Sequence, residues 1–169
     1  MCIDIRIEPL SGPLPSVAWR RDDETEILSG GFKNTRKGGG LTGAIELTDS
    51  DGSIAVLDVS HGVICGIDIV VWPEVTVAAG LRIPDSPSAG RGVMVGGTGR
   101  PEIASIEIDI ALVMRVDPTE TLYHLQVGPP RPVKVVQIAS LWYLDIDVSG
   151  RLAGFWFAGV PQLTAFDDV

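Results

Sequence analysis

The sequence predicts an all-β protein: an internally duplicated antiparallel β unit, closed into a barrel or a sandwich. Three observations carry this reading. Apolar and polar residues alternate with period two along most of the chain, as in Ile3, Ile5 and Ile7 against Asp4, Arg6 and Glu8. That spacing gives an extended strand one apolar face. No window places apolar residues at the 3.6 spacing of a helix. The order of elements also recurs about ninety residues further on: Asp23-Glu24-Thr25-Glu26-Ile27-Leu28 is echoed by Asp117-Pro118-Thr119-Glu120-Thr121-Leu122, and Gly62-x-x-x-Gly66 by Gly150-x-x-x-Gly154. Pro73 and Pro161 each stand seven residues after the second glycine of that motif, Gly66 and Gly154. Repetition of this kind fixes architecture before any single residue does.

The first repeat, residues 1–80, has strand-like stretches at 3–8, 17–20, 26–32, 41–48, 53–59 and 63–72. Thr48-Asp49-Ser50-Asp51-Gly52-Ser53 reads as a turn, since Asp-Gly between apolar runs marks a hairpin. Residues 81–100 form the connection; from Ala78 to Arg100 there are six glycines and two prolines, with Val93-Met94-Val95 as a short strand. The second repeat, 101–169, opens with Ile106, Ile108, Ile110, Leu112 and Met114 in alternation. It continues with stretches at 121–127, 133–139, 141–147 and 151–158. Val133 to Ser149 lacks Gly and Pro, but its β-branched run and the alternation Trp142, Leu144, Ile146, Val148 favour strand over helix. Gly128-Pro129-Pro130-Arg131-Pro132 belongs to an edge or a turn. The two copies together make one fused domain. Their alignment sets Ile3–Glu8 against Ile106–Ala111 and Val63–Trp72 against Arg151–Val160. Cys65, Ile67, Ile69 and Val71, with Ala153, Phe155, Phe157 and Gly159, then face the core. Ile64, Asp68, Val70 and Trp72, with Leu152, Trp156 and Ala158, take the other face. Gly66 and Gly154 lie within strands, where glycine marks a bulge, a bend or a close approach.

The chain of 169 residues is 45% apolar, which suits a filled core, and carries a net charge of −9. That balance repels phosphate backbones, so no nucleic-acid partner is expected. Lys33, Arg36 and Lys37 read as a solvated loop. Cys2 and Cys65, the only cysteines, set up no disulfide framework. Neither a signal peptide nor an apolar run of about 20 residues is visible. A cytoplasmic protein with no membrane partner is the expectation.

The paired segments Asp117-Pro-Thr-Glu-Thr-Leu-Tyr-His-Leu125 with Asp145 to Phe157, and Asp23 to Leu28 with Asp58 to Ile69, resemble a bacterial family, the domain of unknown function numbered 2283. Gly66-Ile67-Asp68-Ile69 looks like that family's closing motif, whereas the second copy has Trp156 in place of the acid, and the first lacks the Leu-Tyr pair. The resemblance implies a small β-rich module in tandem and brings no established activity.

Chemical motifs are sparse. Asp145-Ile-Asp147-Val-Ser149-Gly150 begins like a calcium loop, but its twelfth position is Trp156 rather than an acid. A hairpin turn with two surface aspartates is expected instead. Gly90-x-Gly92 with Gly96-Gly97 lacks nucleotide-loop spacing. Single, scattered His and Cys give no zinc set, and no nucleophile motif is present. No cofactor, metal or catalytic residue is therefore assigned. His61 sits in a turn. His124 lies opposite Tyr123 on its strand and near Glu120, so a His–acid base is conceivable there. The candidate ligand-binding residues are Trp156, Trp72, Tyr123, His124 and Asp68, with Trp156 in a pocket or interface and Asp68 nearer solvent. The favoured function is a non-catalytic binding or protein-interaction module with a protein partner or self-association. The alternative is a small β-barrel enzyme or carrier for an apolar metabolite with an aromatic-lined pocket. A structural oligomer subunit is a third reading.

Overall fold

The computed structural model describes residues 3–36, 38–85, 87–95 and 103–162, and among these there is no helix. In chain order the strands are β1 (Ile5–Glu8), β2 (Arg20–Arg21), β3 (Leu28–Gly31), β4 (Thr42–Thr48), β5 (Ile54–Ser60), β6 (Val63–Val71), β7 (Val75–Val77), β8 (Ser88–Ala89), β9 (Arg91–Met94), β10 (Ile103–Asp109), β11 (Leu112–Val116), β12 (Tyr123–Val127), β13 (Val133–Ala139), β14 (Trp142–Asp147) and β15 (Leu152–Phe157). They form two sheets. The first is ordered β1-β9-β6-β5-β4-β10, with β3 beside β6 and β2 beside β3; the second is ordered β7-β11-β12-β15-β14-β13-β8. One sheet curls into a half-barrel, and the fold is of the barrel or sandwich kind. No described helix is long and apolar enough to cross a membrane.

Each sheet contains an antiparallel path of five consecutive strands. In the first it runs β2-β3-β6-β5-β4, and in the second β11-β12-β15-β14-β13. Val63–Trp72 and Arg151–Val160 thus contribute strands at the same place in each path. The expected match of Ile3–Glu8 with Ile106–Ala111 fails. β1 pairs antiparallel with β9, whereas β10 pairs parallel with β4 at the opposite end of the same sheet. β7 and β8 add in parallel to β11 and β13. The sheets therefore exchange edge strands across the sequence halves, and the glycine-rich connection supplies β8 and β9.

The hairpin before each β6 or β15 partner is held by an aspartate, but in the first sheet it is Asp22 rather than Asp23. Asp22 Oδ1 accepts the Glu24 and Thr25 amides, and the Asp22 amide reaches the Ile27 carbonyl at 3.0 Å. Asp117 Oδ1 accepts the Thr121 and Leu122 amides, and the Asp117 amide reaches the Leu122 carbonyl at 3.0 Å. The strands consequently match Leu28 with Tyr123, not with Leu122. A slip of one residue sends a side chain to the opposite face, so register follows the turn and not the closest sequence echo.

Both sheets carry a bulge at the same place. Asp58 pairs with Gly66 and Val59 with Ile64, leaving Cys65 as the extra residue. Asp145 pairs with Gly154 and Ile146 with Leu152, leaving Ala153 extra. An extra residue reverses the alternation beyond it. That corrects the strict period-two assignment: Ile64 (0% exposed) and Leu152 (2%) lie in the core, while Cys65 and Ala153 line hollows on the outer face. Val71, likewise expected inside, is exposed. The core unites both sheets through Leu28, Ile45, Leu57, Ile67, Leu125, Leu144, Phe155 and Phe157. Trp19 ties them together, its ring edge-on to Trp142 at 5.8 Å and to Phe157 at 5.1 Å. Its indole N–H donates to the Leu141 carbonyl.

A Cβ on Gly154 would stand 2.6 Å from the Leu125 carbonyl oxygen, an atom of the neighbouring backbone; on Gly66 it would meet Asp58 Oδ2 at 2.9 Å, the end of a side chain. Gly154→Ala should therefore cost about 1–3 kcal/mol by overpacking, and Gly66→Ala less, because the Asp58 carboxylate can turn aside and leaves only the tight contact with Asp58 Cβ at 3.1 Å. Urea midpoints of the two variants check this; equal losses contradict it.

Candidate functional site

The sequence-selected residues fall into three places. Trp156 and His124 meet around Asp145 on the outer face of the second sheet. Asp68 lies at the corresponding place on the first sheet. Trp72 and Tyr123 stack near one another with Arg21.

On the second sheet, alternation along β12, β14 and β15 sends Tyr123, Leu125, Leu144, Phe155 and Phe157 inward and His124, Asp145 and Trp156 outward. Cross-strand register sets His124 opposite Trp156 and Gln126 opposite Gly154, with Asp145 on the far side of Gly154. Because Gly154 has no side chain, Asp145 leans across it toward β12. Its Oδ2 lies 2.6 Å from His124 Nε2, and its Oδ1 accepts the Trp156 indole N–H at 2.9 Å. The imidazole and indole rings lie 4.3 Å apart between centroids. Asp145 is 2% exposed and Trp156 7%. The expectation of two surface aspartates in this hairpin is thus half wrong. Asp147 anchors the turn, accepting the Ser149 and Arg151 amides, whereas Asp145 is buried because it has two donors to satisfy it. The acid beside His124 is Asp145 and not Glu120, which is exposed in the preceding turn.

A cavity of about 170 Å³ adjoins this cluster, lined by Arg115, His124, Gln126, Arg131, Asp145 and Ala153 together with Pro129, Pro130 and Val133. The proline-rich connection that walls it is held by Arg131. Its Nε donates to Asp147 Oδ2 at 2.8 Å, and its terminal nitrogens donate to the Val127, Pro129 and Leu152 carbonyls. The Arg131 guanidinium and two backbone amides hold the Asp147 carboxyl below its ordinary value.

The first sheet repeats the construction with different side chains. Asp58 pairs with Gly66, Gly31 lies across Gly66 on β3, and Ser29 lies opposite Asp68. Arg20 pairs with Ser29 as Arg115 pairs with His124. Where Asp145 has Trp156 and His124, Asp58 has Asp68 and Ser29. Among the described residues no donor reaches the Asp58 carboxylate. Above these residues opens a hollow of about 790 Å³, walled by Ser16, Ala18, Arg20, Ser29, Gly31, Lys33 and Cys65 besides the two aspartates, so that two cationic side chains line it along with the two acids. Although Asp58 is exposed at its rim, loss of water over the sheet, with the charge of Asp68 added, pushes its carboxyl above the ordinary value. Burial, and then the charge of Asp58, pushes the Cys65 thiol up as well.

At the third place, the Arg21 guanidinium lies 4.7 Å over the Trp72 ring and donates to the Tyr123 hydroxyl at 3.1 Å. Trp72 and Tyr123 are 5.4 Å apart, and the Trp72 indole donates to the Glu26 carbonyl. This stack joins the two sheets.

Sequence reasoning missed Asp58 and Asp145 as a matched pair, although Leu57-Asp58 and Leu144-Asp145 stand in the echoed segments. No family model matches the chain, and no curated protein matches it.

Trp156→Phe keeps the ring but removes the N–H, leaving one oxygen of a buried carboxylate without a donor. We expect a loss of about 1–3 kcal/mol, read as a lower urea midpoint at unchanged m-value. An unchanged midpoint contradicts the role given to this hydrogen bond.

Proposed function

We propose that the protein is a non-catalytic protein-interaction module, and that its working surface is the open hollow on the outer face of the first sheet. The observation that carries this reading is the contrast between two hollows of one design. In the second sheet the aspartate over its glycine is satisfied by Trp156 and His124 of the same chain. In the first, the equivalent aspartate faces another carboxylate beneath an open space, and although Arg20 and Lys33 also line that space, among the described residues neither bonds to the two acids. Two like charges placed together at a cleft oppose folding and serve a ligand that brings the opposite charge. Under this reading the chain is two copies of one β unit, of which one has locked its hollow and the other has kept it for a partner. A screen of cationic, neutral and anionic fragments, followed by amide shifts, tests the reading. Cationic hits should cluster at Ser29, Gly66 and Asp68.

One observation favours a second reading, that of a small β-barrel enzyme. His124, fixed by Asp145, lines the cavity of about 170 Å³ beside Arg115 and Gln126, which is an arrangement suited to general acid–base work. Fragment hits confined to His124 and Ala153 support this alternative and reject the first.

The raised carboxyl of Asp58 also fixes a pH dependence. Its ordinary value is 3.8, and its folded value is higher, so the folded chain holds this proton more tightly than the unfolded one. The contribution to stability therefore falls as pH rises from near 3.8 through the folded value, and it stays unfavourable at neutral pH. Asp58→Asn removes that opposition. The variant should be at least as stable as the parent at pH 7, with the difference closing below pH 3.8. Urea unfolding at both pH values checks it; a variant clearly weaker at pH 7 rejects the idea that Asp58 is held against stability.

A further inference from the structure

The two sheets differ in one more respect, at the seam between the first two strands of each path. In the second sheet β11 and β12 stay paired over five positions, from Val116↔Tyr123 to Leu112↔Val127. In the first, β2 and β3 pair only at Arg21↔Leu28 and Arg20↔Ser29. Beyond Arg20 the chain leaves the sheet and crosses to the other one. The Pro15 carbonyl accepts the Ser140 amide at 2.8 Å, the Val17 amide donates to Ser140 Oγ, and Trp19 is wedged into the core against Gly30.

The hydrogen-bond alternation of an antiparallel ladder shows what this leaves behind. The Phe32 amide donates to the Cys65 carbonyl, so Phe32, Gly30 and Leu28 turn their backbone groups toward β6. Residues between them turn the other way. Ser29 is met by Arg20, and the next position facing that side is Gly31. Its N–H and C=O point across the seam to where Ala18 would stand had β2 continued. Among the described residues they have no hydrogen-bond partner there. Gly31 and Ala18 are exposed, and both line the hollow of about 790 Å³ that contains Asp58 and Asp68.

Resting on the interaction-module reading, we propose that this hollow takes an extended peptide, paired along the free side of β3 at Gly31, with a lysine or arginine side chain reaching Asp58 and Asp68. Backbone pairing supplies the docking, as in strand addition to a sheet edge. A basic side chain supplies the donors that Trp156 and His124 supply to Asp145. Gly31 and Gly66 face each other on adjacent strands and carry no side chains of their own, so the Asp58 side chain that lies over Gly66 is what the incoming chain meets there. The charge of the protein favours the same choice, since a chain of net charge −9 attracts a basic segment and repels a second copy of itself.

The test is selection from a displayed library of linear random peptides against the full chain, followed by titration of synthetic hits into isotope-labelled protein. The expected hits are rich in Lys or Arg. Binding should slow amide exchange at Gly31, and affinity should drop tenfold or more for the variant carrying Asp58→Asn and Asp68→Asn. It should also fall as salt is raised on the unaltered chain, a readout independent of that variant's folding. An absence of hits overturns the proposal, as do hits without basic residues, hits that leave the Gly31 amide unaffected, and hits that bind the variant equally. Concentration-dependent self-association through Gly31 overturns it in favour of a second copy. If cationic fragments occupy the hollow while no peptide pairs with Gly31, the peptide inference fails and the module reading stands. If nothing occupies the hollow in either experiment, both fail.

Discussion

The fold turns on a glycine that allows a neighbouring aspartate to lie across its strand. Gly66 and Gly154 each stand beside a one-residue bulge, and each faces an aspartate on the adjoining strand. Any side chain at Gly154 would occupy the path from Asp145 to His124, for a Cβ there would approach Asp145 Oδ2 at 2.9 Å and His124 Nε2 at 3.3 Å. The bulge does the rest. By adding Cys65 or Ala153 it returns Ile64 or Leu152 to the core and concentrates polar groups on the outer face. One irregularity thereby decides both what is buried inside and what is presented outside. A regular ladder would bury or expose whole alternating sets and could not place a charged residue over a hollow without losing an apolar one.

How an aspartate is satisfied then separates the two sheets. Asp145 is tolerated at 2% exposure because each oxygen has its own nitrogen donor and the paired rings exclude water. Removing either donor would leave a buried acceptor, which costs more than the hydrogen bond itself is worth. Asp58 lacks such donors and stays at the rim. A similar strand arrangement therefore makes a buried polar cluster in one sheet and, in the other, an open hollow whose two aspartates share its wall with Arg20 and Lys33. The side chains around the aspartate decide the difference, Trp156 and His124 against Asp68 and Ser29, with Gln126 and Ala153 of the second sheet answered by Gly31 and Cys65 in the first.

Much of this was legible in the sequence. Period-two alternation located most strands, but it runs unbroken from Ile106 to Met114 where the structure has two strands, β10 and β11, in different sheets. It gave no sign of the short β7 and β8. Asp-Gly, His-Gly and Ser-Gly dipeptides located hairpin turns. Gly66 and Gly154 stood out as glycines inside strands. Register was not legible. The echo of Asp23 with Asp117 is real in letters, yet the turn is held by Asp22, and the resulting shift matches Tyr123 with Leu28. Bulges are equally hidden, because one extra residue reverses a pattern without altering composition, and so alternation alone puts Cys65 and Ile64 on each other's faces. Partners distant in sequence were out of reach as well. Asp145 finds His124 only because β14, β15 and β12 are neighbours, and the turn aspartate it resembled from sequence is Asp147. Parallel pairing of β10 with β4 likewise depends on tertiary closure. Alternation in Ile106, Ile108 and Ile110 announces a strand but says nothing about which edge it completes.

Closure explains why the hollow over the first sheet lies open. The stretch from Pro15 to Trp19 leaves β3 to join the second sheet, where Trp19 fills the space between Trp142 and Phe157. Large rings gain most from such burial, and that gain outweighs the few backbone hydrogen bonds given up at Ala18 and Gly31. In the second sheet no comparable residue precedes Arg115. Met114 occupies the position of Trp19, is fully buried within its own sheet, and leaves β11 paired to its end. A single inward tryptophan thus fastens one sheet to the other and, by drawing its strand away, opens the seam beside Asp58. The interior demand for apolar volume and the exterior hollow are two consequences of the same departure of chain from ladder.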